Sequence, residues 1–215
     1  NSAVVSGALS VLALLVAIIV MIGIYHKMDK LNLSVDKFIP MAAVAGLMLA
    51  LGFNLLIGDI CARVPALQRF LEDSTYNKDR PLFMLFLYAG ILSPIAEELC
   101  FRYLMYGRMK KIYGVTIALI TSSVFFGIYH MQLIQGVYAF IIGICMAIVY
   151  EWSESILVPI AFHMFANIAI VTSPYLPENV QKIICSVPLT FLWIFMGIGT
   201  MLVLKKWRDT KIVEE

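Results

Sequence analysis

Charged side chains are scarce in this chain. They make up 14% of its 215 residues, where a soluble domain carries about a quarter. Hydrophobic residues make up 61%, and the mean hydropathy is +0.90. That balance excludes an ordinary soluble domain, and a formal net charge of +2 is too small for a nucleic-acid binder. Cysteine is sparse as well. Cys61, Cys100, Cys145 and Cys185 show no CxxC or other metal-type spacing. Neither a disulfide framework nor a thiol nucleophile is supported, and the four read as small buried hydrophobes. There is no internal repeat, no low-complexity tract, no HExxH and no GxSxG. The first apolar stretch has neither a basic n-region nor a small-residue cleavage site, so it reads as a spanning helix rather than a signal peptide. The missing initiator Met reads as processing or trimming.

What the chain has instead is long apolar runs. A spanning helix needs about 20 such residues, and seven stretches qualify or come close: 4–25, 40–61, 81–106, 113–131, 134–150, 155–172 and 184–204, the fifth and sixth being short. The expected architecture is a single all-α transmembrane domain over 1–215, an integral multi-pass bundle of about seven to eight helices. The polar stretch from Arg63 to Arg80 reads as an amphipathic segment at the interface. Pro40, Pro81 and Pro188 fall at segment starts, where a missing N–H costs little. Pro94 and Pro159 fall inside segments, where they free a backbone carbonyl and loosen the helix near a polar cluster. Counting Lys and Arg by loop sets ten residues (Lys27, Lys30, Lys37, Arg108, Lys110, Lys111, Lys205, Lys206, Arg208, Lys211) against five (Arg63, Arg69, Lys78, Arg80, Lys182). The bias predicts a cytoplasmic C-terminus and an external N-terminus.

Against this apolar background the intramembrane charges stand out. Each costs roughly 2.5–3.5 kcal/mol to insert, yet Glu97, Glu98 and Arg102 share one segment. Glu98 and Arg102 are four apart and lie on one helix face. Glu97 points about 100° away. Arg102 is therefore expected to neutralise Glu98 and leave Glu97 facing a cavity. The fourth segment ends on His130, and the sixth carries His163 and Asn167 on one face. His26, beside Lys27, reads as solvated. Asn54 and Asp59 are weaker candidates for lining or capping the same cavity, Ser122 and Ser123 are expected to bond back to their own helix, and Glu151 and Glu154 read as solvated loop residues. Phe101, Tyr103, Phe126, Tyr129 and Phe162 read as packing.

A carboxylate beside an imidazole can take a proton from water and make a nucleophile. An amide and an imidazole N–H can stabilise the oxyanion that forms at a peptide carbonyl, each such donor being worth about 2.7–4 kcal/mol. Carboxylate, two imidazoles and amide thus suit peptide hydrolysis without a covalent intermediate. These residues also carry a family resemblance. EELCFR resembles the EExxxR motif of the CAAX protease and bacteriocin-processing family (CPBP, or Abi), FGIYH resembles its FxxxH motif, and HMFAN resembles its HxxxN motif, in that order over residues 93 to 167.

The resemblance implies a CAAX-protease-like helical core over about 81–172 and an intramembrane glutamate endopeptidase. By position, Glu97 would activate water with help from His130. His163 and Asn167 would form the oxyanion hole. Glu98 and Arg102 would support them. It implies no cofactor, a peptide or protein substrate that is lipidated in the eukaryotic members, the bilayer as surroundings, and no nucleic acid. One depth does not fit simple spans. Glu97 and His163 lie roughly 16 and 13 Å from the cytoplasmic edge, but His130 comes out at roughly 25 Å. We therefore expect the turn 130–136 to stay inside the membrane, with Gln132 and Gln135 lining the cavity. Three other readings compete: a zinc protease using Glu97, His130 and His163 as ligands, a non-catalytic scaffold or immunity protein of the same fold, and a proton-coupled transporter, which would call for inverted repeats.

Overall fold

The structure, a computed structural model, describes residues 2–25, 31–35, 37–68 and 81–214. Helices α1 (Ser2–Tyr25) and α2 (Phe38–Arg63) are followed by α3 (Leu82–Tyr113), α4 (Val115–Tyr129), α5 (Leu133–Ser153), α6 (Leu157–Thr172), the short α7 (Glu178–Ile184) and α8 (Val187–Glu214). No strand occurs among the described residues. Of these helices α2, α3, α5, α6 with its following turn, and α8 are long and apolar enough to cross a membrane, while Leu9–Gly23 and Val115–Tyr129 are shorter apolar helices. The seven apolar stretches are all helical, as an all-α membrane bundle requires. His26 and most of the expected interfacial segment lie outside the described residues.

Several boundaries differ from expectation. The fifth segment is not short: α5 runs for 21 residues. Arg108, Lys110 and Lys111 are not in a loop. They form the last turns of α3, which ends only at Gly114 (φ +82°). Pro159 is the third residue of α6 and so breaks no backbone bond. Glu151 is helical and half-buried, where it accepts from Tyr106 Oη at 2.6 Å and from Lys110 Nζ at 2.7 Å. It ties the end of α3 to the end of α5. Of the cysteines Cys61 is buried, Cys100 and Cys145 are half-buried, and Cys185 is exposed, because it sits in the link between α7 and α8 rather than in the bundle.

Lipid tails are as apolar as leucine, so helices in a bilayer are held by close backbone approach rather than by hydrophobic burial alone. Two glycine contacts of this kind position the polar residues. α2 packs most extensively on α6 and α8. Where α2 crosses α6, a methyl group added at Gly46 would lie 2.1 Å from the carbonyl oxygen of Phe162, the neighbour of His163. Gly127 of α4 and Gly136 of α5 meet in the same way: a methyl group added at Gly127 would lie 2.7 Å from Gly136 O, and one added at Gly136 would lie 2.9 Å from Gly127 O. The turn between them passes through Met131 at φ +56°. The start of α6 is held from outside the bundle, where Ser155 Oγ donates to Ser34 O at 2.8 Å and Ile156 N–H to Asn32 O at 3.2 Å.

The Gly46 contact gives a direct test. Gly46→Ala should cost about 1–3 kcal/mol, because the blocking atom is backbone and cannot rotate away. The check is the thermal midpoint of the detergent-solubilised protein, and an unchanged midpoint would mean that α2 and α6 are not in such close contact.

Candidate active site

The charged centre lies on α3, and its local winding matters. The helix widens into π-type turns over Phe86–Leu92 and again over Leu99–Tyr106, with the α-helical Ser93–Glu98 between them. In the first wide stretch the N–H of Ser93 reaches back to Tyr88 O, five residues away. In that register the next bond would run from residue 94 to Ala89 O, but residue 94 is proline and has no N–H. The stranded acceptor is taken by a side chain instead: Asn167 Nδ2 donates to Ala89 O at 2.8 Å. Pro94 thereby frees the carbonyl that anchors Asn167, as its position within the segment suggested. π-type turns of this sort recur at functional sites.

Glu98 and Arg102 form the buried ion pair expected from their spacing. Both are fully inaccessible, with Arg102 Nη1 2.9 Å from Glu98 Oε1. Arg102 also donates from Nη2 to Gly143 O at 3.1 Å, and its guanidinium lies 4.4 Å from the centre of the Phe126 ring. Room for that guanidinium depends on Gly143, where a methyl group would come within 3.4 Å of Nη2. Phe126 is the hub of the site, its ring centre 4.9 Å from that of His130, 5.5 Å from His163 and 5.2 Å from Phe101.

His163, 3% exposed, bridges the two carboxylates. Its Nδ1 lies 2.8 Å from Glu98 Oε1 and its Nε2 3.7 Å from Glu97 Oε2. A carboxylate only accepts, so Nδ1 carries a proton and Nε2 is the atom turned toward Glu97. His130 is fixed differently. Its Nδ1 lies 2.8 Å from Phe126 O, so Nδ1–H donates to a neutral carbonyl and Nε2 of the neutral ring keeps its lone pair. Glu97 turns away from the Glu98–Arg102 pair. Its Oε1 accepts from Ser93 Oγ, while Oε2 is buried with no hydrogen-bond partner among the described residues.

These residues share one cavity of about 750 Å³, with Glu97, His130, His163 and Asn167 all on its wall. His130 and Glu97 therefore do not lie at opposite ends of the bundle. Gln135 lines the cavity as expected, but Gln132 does not: it lies on the outer side of the turn, in an apolar groove with Gly127 and Gly136. Asn54 lines the cavity, while Asp59 is exposed and pairs with Arg63 at 2.8 Å. Ser122 and Ser123 bond back to Leu119 O, as their helical setting implied. Among the described residues no three His, Cys, Asp or Glu side chains are grouped to hold a metal ion. Sequence reasoning missed Ser93, although its position four residues before Glu97 was a usable signal. It also took Phe126 for ordinary packing.

Comparison with known proteins bears on this arrangement. Residues 79–169, which include every polar residue of the cluster, match the family model for the Rce1-like type II CAAX prenyl endopeptidases. The candidate membrane peptidase YdiL of Bacillus subtilis (strain 168) is 29% identical over 131 residues, 60% of this chain and 54% of YdiL. The membrane-embedded CAAX protease MroQ of Staphylococcus aureus (strain USA300) is 25% identical over 167 residues, 71% of this chain and 67% of MroQ. The chain thus spans about half the length of the first relative and two thirds of the second. No solved structure matches it. On its motifs, its buried acid–arginine–histidine cluster and this match, residues 79–169 are similar to the Rce1-like CAAX prenyl endopeptidases, in a multi-pass membrane protein.

Proposed function

We propose that the chain is an intramembrane peptidase of the glutamate type, which hydrolyses a peptide bond in a peptide or protein tail, lipidated or not, reached through the cytoplasmic half of the bilayer with the C-terminus on the cytoplasmic side. The observation that carries this reading is the Oε2 of Glu97, which accepts no hydrogen bond from any described residue, on the wall of a cavity it shares with two imidazoles and an amide. A carboxylate atom in that setting is free to accept a proton from water. The hydroxide so formed attacks the substrate carbonyl, and the oxyanion needs donors. Asn167 has one N–H committed to Ala89 O and a second that bonds to no described residue. His163 gives its Nδ1 proton to Glu98 and can donate from Nε2 only as the doubly protonated ring. That form also balances charge, two carboxylates against Arg102 and His163. His130 Nε2, with its lone pair held by the Phe126 bond, suits moving the proton to the leaving amine.

The test is cleavage by protein reconstituted in liposomes. The probes are fluorescence-quenched octapeptides of leucine and alanine with one varied central residue, each made as the amide and as the free acid. Cleavage that survives a chelator supports the metal-free reading; loss on chelation with recovery on added zinc would favour the zinc protease. No cleavage of any member would favour the scaffold. Asn167→Ala should lower kcat by about 10²–10³, the loss seen when one oxyanion donor is removed, and an unaltered kcat would take Asn167 out of the oxyanion hole.

A further inference from the structure

Part of the cavity wall comes from α2, which no motif covers. Asn54, Ile57 and Gly58 line it. Asn54 and Gly58 are four apart and share a face. The two asparagines of the cavity behave differently. Asn167 is tied to Ala89 O at 2.8 Å, as an amide that fastens one helix to another is expected to be. Asn54 is exposed to the cavity and makes no hydrogen bond to any described residue. An amide placed mid-helix in an apolar segment without a structural partner keeps its donor and its acceptor for something that enters the cavity. Gly58, one turn on, leaves the wall open: a methyl group added there would meet nothing within 4 Å among the described residues. That contrasts with Gly46 and Gly52 on the same helix, where such a group would collide with α6 or α8. Helix packing accounts for Gly46 and Gly52 but not for Gly58.

We propose that Asn54 and Gly58 form a substrate-binding subsite on α2, in which the Asn54 amide pairs with a backbone peptide group of the substrate and Gly58 leaves room for the adjacent side chain. This rests on the peptidase reading of the same cavity. An extended peptide offers one N–H and one C=O in the register that a primary amide can meet with both its atoms. Asn54 then holds substrate and transition state alike, so it governs KM rather than kcat. Gly58 sets how large a side chain is accepted.

The experiment uses the full chain in liposomes and the octapeptides described above. Asn54→Leu should raise KM about tenfold, the loss of two ordinary hydrogen bonds, with kcat held within about twofold. Asn54→Gln should recover part of the affinity. Gly58→Leu should fold at least as well as the parent, since its side chain enters open space and leucine is the better helix former. It should still cleave the octapeptide with a central alanine and fail on the one with a central tryptophan. A second arm measures binding of the same octapeptides, fluorescein-labelled, to Glu97→Gln protein with and without Asn54→Leu. Binding weakened about tenfold by Asn54→Leu supports the subsite even if the parent cleaves nothing, in which case only the peptidase reading fails. KM and Kd unchanged by Asn54→Leu, a fall in kcat alone, equal loss of both octapeptides in Gly58→Leu, or no binding to either protein would each overturn the subsite.

Discussion

Glu97→Gln should yield a folded protein whose peptide cleavage is lower by about 10²–10⁴-fold, the range supplied by a positioned general base. Gln and Glu have the same shape, and the substituted side chain keeps an oxygen for the Ser93 hydroxyl that now donates to Oε1. What it lacks is the capacity to take a proton at Oε2, which accepts no hydrogen bond from any described residue. The thermal midpoint of the variant should equal or exceed the parent's, because a buried carboxylate atom without a hydrogen bond is a burden on stability. The pairing of lost turnover with retained stability is the signature of a residue held for chemistry. Loss of both together would mean that Glu97 is one more member of the structural charge cluster.

Arg102→Met should be the most destabilising single change at this site, by about 3–5 kcal/mol, the range for removing one partner of a buried ion pair. The guanidinium is fully buried, bonded to Glu98 and Gly143 O and stacked on Phe126. Without it Glu98 keeps only His163 as a partner. The measurable result is poor accumulation in the membrane and a steep fall in thermal midpoint. Adding Glu98→Gln to Arg102→Met should restore much of that loss, since removing both charges is far less costly than stranding one. The double variant should still be a poor enzyme, because a neutral amide fixes the Nδ1 proton of His163 less firmly than a carboxylate does. If the double variant were no more stable than Arg102→Met alone, the pair would not be coupled.

The parts of this site that were legible in the sequence are those set by helical spacing. Glu98 and Arg102 are four apart on one helix, and so are His163 and Asn167, so pairing and shared face followed from the period alone. The separation of Glu97 from that pair followed too. Pro94 was correctly marked as loosening its helix, but which carbonyl it freed depended on the wide π-type register, which no periodicity announces. Glu151 was misread for a different reason. Its polarity suggested a loop, but its partners, Tyr106 and Lys110, lie more than 40 residues earlier in the chain. Gln132 and Gln135 look equivalent in the sequence, but Gln132 is the extended residue before α5 and lies in the outer groove, while Gln135 is within the helix and faces the cavity.

The sequence by itself determined that the chain is a membrane-embedded helical bundle and which side chains are too costly to sit in lipid without a role. Both follow from local quantities, the length of apolar runs and the desolvation of charge. Only the tertiary structure decided that His163 bridges the two glutamates, that the two imidazoles are locked by different acceptors, and that Gly58 of α2 joins Asn54 in lining the same cavity. Those facts depend on where four helices cross. In a bilayer the crossings are fixed by backbone contacts at glycines such as Gly46 and Gly127, whose partners lie far along the chain or across a turn.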